Sequence, residues 1–127
     1  MARPKARDLT ERELEIMHVF WNYGSQTVAE ARDRLEAEGR ELAYTTVATL
    51  VRILCDKSCL EQTNTERPFT YRPLRSFEDV SRSFLRDLTD MVFGGSREQL
   101  LVQLIGQKKL TKREREILEQ FLREQSK

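Results

Sequence analysis

Tyr44-Thr45-Thr46-Val47-Ala48-Thr49-Leu50-Val51-Arg52-Ile53-Leu54-Cys55-Asp56-Lys57 decides how this 127-residue chain is read. Val47, Leu50, Val51 and Leu54 recur at i, i+3, i+4 and i+7, the spacing of one buried helix face. At about 100° per residue, the opposite face carries Thr45, Thr49, Arg52 and Asp56. Ala43 is a poor N-cap and the threonines are mediocre helix formers, so tertiary packing must hold this helix. Residues that do little for helix stability, gathered on one exposed face, point to a task outside the helix.

Downstream, Cys59-Leu60-Glu61-Gln62-Thr63 and Phe69-Thr70-Tyr71-Arg72-Pro73 flank the polar connection Asn64-Thr65-Glu66-Arg67-Pro68. That is the pattern of a short β-hairpin, with prolines where a ladder N–H is not needed. Upstream, Leu9-Thr10-Glu11-Arg12-Glu13-Leu14 has the form of a capping box with a hydrophobic staple, Thr10 capping and Glu13 returning the bond. The helix it opens carries Leu14, Met17 and Trp21 along one face and stops at Tyr23-Gly24. Thr27-Val28-Ala29-Glu30 repeats the box and opens a second helix striped by Val28, Ala31 and Leu35, ending at Gly39.

Three helices followed by a hairpin is the order of a winged helix-turn-helix, in which the third helix enters the major groove and the hairpin lies along the backbone. Thr45, Thr46 and Thr49 offer hydroxyls and methyls to base edges or phosphates. Arg52 can fork onto a guanine or a phosphate, and Arg67 in the wing suits a phosphate. Arg3, Lys5 and Arg7 near the start can serve as an arm onto DNA or simply solubilise the end, and Asp56 on the same face as Arg52 opposes a phosphate.

After Pro73 the strand signals stop. Ser76-Phe77-Glu78-Asp79 caps a long helix with Phe77, Val80, Phe84, Leu88 and Met91 along one side, until Gly94-Gly95. Ser96 caps a compact apolar helix holding Leu100, Leu101, Leu104 and Ile105, and Thr111-Lys112-Arg113-Glu114 starts a last one reaching about Glu124. This is more apolar surface than some fifty residues can hide alone, and a partner chain is its simplest cover. The sequence therefore describes a mainly α chain with a small hairpin: a winged-helix domain over residues 1–73 and a helical dimerisation domain over residues 74–127. The dimer contacts expected are Phe77, Val80, Phe84, Leu88, Met91, Leu101, Leu104 and Ile105.

Lys plus Arg total 22 and Asp plus Glu 21, for a formal net charge of +1, so any polyanion must be met by local patches. There is no Gly-rich phosphate loop, nucleophile elbow or His-containing metal motif, which argues against an enzyme, a metal site and a cofactor. No apolar run is long enough to span a bilayer and the start lacks the apolar core of a signal peptide, so the expected location is the cytoplasm, away from membranes. Cys55 and Cys59, four apart near a helix end, are expected as free thiols.

Several landmarks together resemble the penicillinase-repressor type of bacterial transcription factor, the BlaI/MecI/CopY family. These are Leu9-Thr10 to Trp21, Thr27-Val28, Ala43-Tyr44-Thr45-Thr46-Val47-Ala48-Thr49-Leu50, and Tyr71-Arg72-Pro73 after the wing. The resemblance implies a homodimeric repressor whose winged helices bind an inverted-repeat operator, with TACA/TGTA-like half-sites, until an inducing signal releases it. It also brings departures. Asp56-Lys57-Ser58-Cys59 stands where relatives carry Lys-Lys-Gly, so a serine replaces a left-handed glycine. Gln103-Leu104 stands where a sensor protease cuts between Asn and Phe in penicillinase repressors, which puts that partner in doubt. The C-terminus has no Cys-x-Cys pair of the kind that binds copper. The competing reading is a winged-helix protein-interaction module without sequence-specific DNA binding. It would favour aromatic or apolar anchors on the Thr45, Thr49 and Arg52 face, where none occurs.

Overall fold

The computed structural model describes residues 8–125, which divide into two compact units, the first ending at Asp87 and the second beginning at Leu88. The elements in order are α1 (Glu11–Tyr23), β1 (Gln26–Thr27), α2 (Val28–Ala37), α3 (Tyr44–Asp56), β2 (Leu60–Gln62), β3 (Thr70–Pro73), α4 (Phe77–Val92), α5 (Arg97–Gly106) and α6 (Lys112–Gln125).

Both capping boxes form as their sequences dictate. Thr10 Oγ1 accepts from the Glu13 N–H at 3.2 Å and Thr27 Oγ1 from the Glu30 N–H at 3.1 Å, with each glutamate bonding back to the cap N–H. The apolar stripes of α1, α2 and α3 then meet in one core around Ile16, Met17, Phe20, Ala31, Leu35, Val47, Val51 and Leu54. Cys59 and Leu60 close it from the start of the hairpin.

The hairpin gains a third strand that the sequence did not announce. β3 lies between β1 and β2, both antiparallel to it, with Gln26 opposite Tyr71 and Gln62 on Tyr71's other side. Gln26 is fully buried, and its side-chain amide donates to the carbonyls of Val19 at 3.0 Å and Gly24 at 3.2 Å. The sheet is thereby tied to the end of α1.

The first unit extends beyond the hairpin into α4. Arg75, buried, donates to Asp79 at 2.8 Å, and its carbonyl accepts from the Trp21 indole N–H at 2.8 Å. Trp21 meets His18 and Phe77 edge-on, with ring centroids 5.2 and 5.4 Å away. Val80 is only 2% exposed and joins the core, and Phe84 packs against it.

In the second unit, α5 is capped by Ser96, whose Oγ accepts from the Gln99 N–H at 3.1 Å, and α6 by Thr111 with Glu114. Neither helix contains a buried residue.

Candidate nucleic-acid interface

The two faces of α3 separate as its periodicity requires: Val47, Val51 and Leu54 are buried, while Thr45, Thr49, Arg52 and Asp56 are exposed and Thr46 is half-buried. Arg52 makes no hydrogen bond or ion pair among the described residues, so its guanidinium is free to fork onto an external acceptor. Thr49 differs from the sequence expectation. Its hydroxyl donates to the Thr45 carbonyl at 2.9 Å, the back-bond to i−4 that threonine makes in helices, so only its lone pairs and methyl face outward.

Arg67 stands in the wing with its guanidinium over the Phe69 ring, 5.5 Å from the centroid. The connection that presents it is organised by Asn64, a residue the sequence reading passed over. The Asn64 amide donates to the carbonyls of Glu66 and Pro68, each at 3.1 Å, and its oxygen accepts from the Thr70 N–H at 2.8 Å. Asparagine in a polar connection is the signal that was available. Lys5 and Arg7 lie outside the described residues.

Two cavities flank α3. One, of about 330 Å³, is lined by Arg12, Thr45, Thr46, Thr49 and Leu50. The other, of about 540 Å³, runs between the start of α2, α3 and the wing, where Thr27, Tyr44, Ala48, Arg67, Phe69 and Tyr71 line it. Arg12 and Tyr44 thus belong to this surface although neither was singled out. Arg12 had a sequence signal: a cation in a helix's first turn opposes the macrodipole.

The position of α3 is fixed at its far end. Lys57, its C-cap, donates to both carboxylate oxygens of buried Glu13 at 2.6 and 2.9 Å and to the Asp8 carbonyl at 2.6 Å, joining the end of α3 to the start of α1. Ser58 follows with φ 60°. The Ser58 and Cys59 N–H groups bond back to the carbonyls of Cys55 at 3.0 Å and Leu54 at 2.9 Å, a Schellman cap in which serine occupies the position that glycine favours. The turn survives the replacement of glycine.

Cys55 and Cys59 are free thiols, but they do not sit together on a helix as their i, i+4 spacing suggested, because α3 ends at Asp56 and Cys59 turns into the core. Burial pushes the Cys55 thiol up, assisted by Asp56. Burial also pushes Cys59 up, against the opposing pull of Arg75. Both therefore favour the protonated form at neutral pH. Among the described residues, no group of three or more His, Cys, Asp or Glu side chains could hold a metal ion.

Of the residues assigned to a dimer contact, Val80 is already consumed by the first unit's own core and Phe84 is half-buried against it. Phe77, Leu88, Met91, Leu101, Leu104 and Ile105 are exposed, and the same is true of Leu85, Val92, Ile117, Phe121 and Leu122, which the sequence reading left out. Gln103 and Leu104 are exposed within α5.

The penicillinase repressor family model matches residues 9–124. The chain belongs to the penicillinase repressor family. Like other members it is a DNA-binding transcriptional repressor and not an enzyme. Transcriptional regulator BlaI of Mycobacterium tuberculosis, from strains H37Rv and CDC 1551, is 30% identical over 103 residues, covering 80% of this chain and 74% of that protein. Among solved structures, the hsRosR-S4 complex is similar at a TM-score of 0.56 and 18% identity, covering 99% of this chain and 96% of that one. The multiple antibiotic-resistance repressor MarR of Listeria monocytogenes is similar at 0.50 and 21%, covering 94% and 79%. These likenesses place this penicillinase repressor family member in the winged-helix fold. Among its described residues, no helix is long and apolar enough to cross a membrane.

Proposed function

We propose that this repressor acts as a homodimer that occupies an inverted-repeat operator at its target promoter and blocks transcription until an inducing signal releases it. The winged helix of residues 1–73 reads the DNA, with Thr45, Thr46, Thr49 and Arg52 facing the major groove and Arg67 on the backbone beside it. Lys5 and Arg7 extend that contact as an N-terminal arm. Helices from residues 74–127 join the two copies, and the protein works in the cytoplasm.

The observation that carries this reading is the presence of two exposed surfaces of different character in one chain. One is a polar α3 face whose Arg52 has no hydrogen-bond or ion-pair partner among the described residues. The other is apolar: Met91 and Val92 in α4, Leu104 in α5 and Phe121 in α6 are each 60% exposed or more. Dimerisation would cover the second and set two copies of the first about one helical turn of DNA apart. Two modest contacts then combine into one strong one, which offsets a net charge of only +1.

The test is titration of the purified protein against its own upstream region and against a scrambled duplex of equal length, with footprinting of whatever binds. The expected result is a protected inverted repeat. Equal affinity for both duplexes would overturn the operator reading and favour a protein-interaction role.

A further inference from the structure

We propose that Arg12 and the first turns of α3 form a seat for a phosphodiester of the DNA backbone, at the edge of the same face that carries Arg52. The proposal rests on the operator reading above and adds a residue to it. Geometry supplies the first argument. Arg12 reaches the α3 surface from a different helix, and together with Thr45, Thr46, Thr49 and Leu50 it lines one open depression of about 330 Å³. Arg67 lines the cavity on the other flank of α3. A helix lying in the major groove runs between two phosphate backbones, and this one has an arginine on either side of it.

Electrostatics supplies the second argument. α1 is rich in acids, yet Arg12 makes no ion pair or hydrogen bond among the described residues. Glu13 is committed to Lys57, and Glu15 holds Arg40 at 2.7 Å with Glu11 acting on the same guanidinium. Arg12 is thus a cation in the first turn of a helix, where the dipole disfavours it, with no compensating partner among the described residues. A phosphate in the cavity would supply that partner, and a guanidinium can fork onto two of its oxygens.

The hydroxyls sort themselves accordingly. The Thr45 and Thr46 hydroxyls have no hydrogen-bond partner among the described residues and can donate to a phosphate oxygen. Thr49 has spent its proton on the Thr45 carbonyl and contributes its methyl to the wall. The ligand that fits is a tetrahedral anion carried on a polymer, held by the Arg12 guanidinium with the Thr45 and Thr46 hydroxyls in their phosphate-binding role.

The test compares wild type, Arg12→Ala, Arg12→Lys and Arg52→Ala on the upstream-region duplex and the scrambled duplex, between about 50 and 200 mM salt. Arg12→Ala is expected to weaken both duplexes by the same factor, about 5- to 10-fold at low salt. It should also flatten the slope of log K against log salt by about 1 per half-site. Arg12→Lys keeps the slope and loses only part of the affinity, because the point charge remains and the fork is gone. Arg52→Ala, by contrast, should erode the preference for the upstream duplex. Since Arg12 is exposed, thermal unfolding of its variants should match wild type. Unchanged affinity and slope in Arg12→Ala would overturn the proposal, as would a loss confined to the upstream duplex. If wild type shows no preference between duplexes, the operator reading fails. The slope on scrambled DNA still reports on Arg12 in that case, because phosphate contacts are independent of sequence.

Discussion

The two units are built from similar raw material and solve burial differently. In the first, three short helices and a small sheet enclose Ile16, Met17, Phe20, Val47 and Leu54 until none is accessible to solvent. In the second, α5 and α6 are regular and capped, yet bury no residue at all. Helix regularity and capping therefore do not distinguish them. The first unit buries its own apolar stripes, while the second leaves Leu101, Leu104, Ile105, Phe121 and Leu122 exposed. Isolated helices of that length are marginal in water, and in the proposed dimer the second unit gains its stability by packing against the other copy.

That contrast can be broken at several places, with effects that fall in order. Phe20→Ala opens a cavity in the first unit's core and should cost about 3–5 kcal/mol in urea unfolding, independent of protein concentration. A loss below about 1 kcal/mol would mean the core is not where its burial indicates. Leu88→Asp removes nothing from the first unit's core. It should turn the protein monomeric in sedimentation and lower operator affinity about 100-fold or more through lost pairing, with the first unit still folded. A mutant that remains dimeric contradicts the assigned interface.

Glu13→Ala leaves the Lys57 ammonium without its carboxylate and releases the end of α3. The expected loss is about 2 kcal/mol of stability together with weaker operator binding, and unchanged binding would show that α3 is positioned by the core alone. The smallest effect has the opposite sign. Ser58→Gly removes a left-handed conformation from a residue with a Cβ and should stabilise the first unit by about 1 kcal/mol, read as a raised unfolding midpoint. A destabilised variant would mean that Ser58 makes a contact worth more than its backbone strain.

What could be read from the sequence follows the same division. Local signals were legible: the Thr10/Glu13 and Thr27/Glu30 boxes, the α3 periodicity, Ser96 and Thr111 as caps, and the two strands of the hairpin. Signals that depend on distant partners were not. Gln26–Thr27 is only two residues long, and its pairing with Thr70 and Tyr71 leaves no trace in its own neighbourhood. Val80 repeats with Phe77 and Phe84 as one stripe, but helix periodicity cannot tell which of them the first unit will claim.

The interface face was legible as a pattern on α3, because exposure there follows directly from the burial of Val47, Val51 and Leu54. Arg12 offered only the hint of a cation in a helix's first turn, since its place beside Thr45 is set by the packing of α1 against α3. Likewise Asn64 reads as one polar turn residue among several until its three hydrogen bonds around the wing are seen.

Sedimentation equilibrium of the full chain, alone and with a duplex carrying the protected upstream site, tests the central claim most directly. The expected result is twice the mass of one chain at micromolar concentration and two chains on each operator. A monomer that binds one chain per site with undiminished affinity would contradict it.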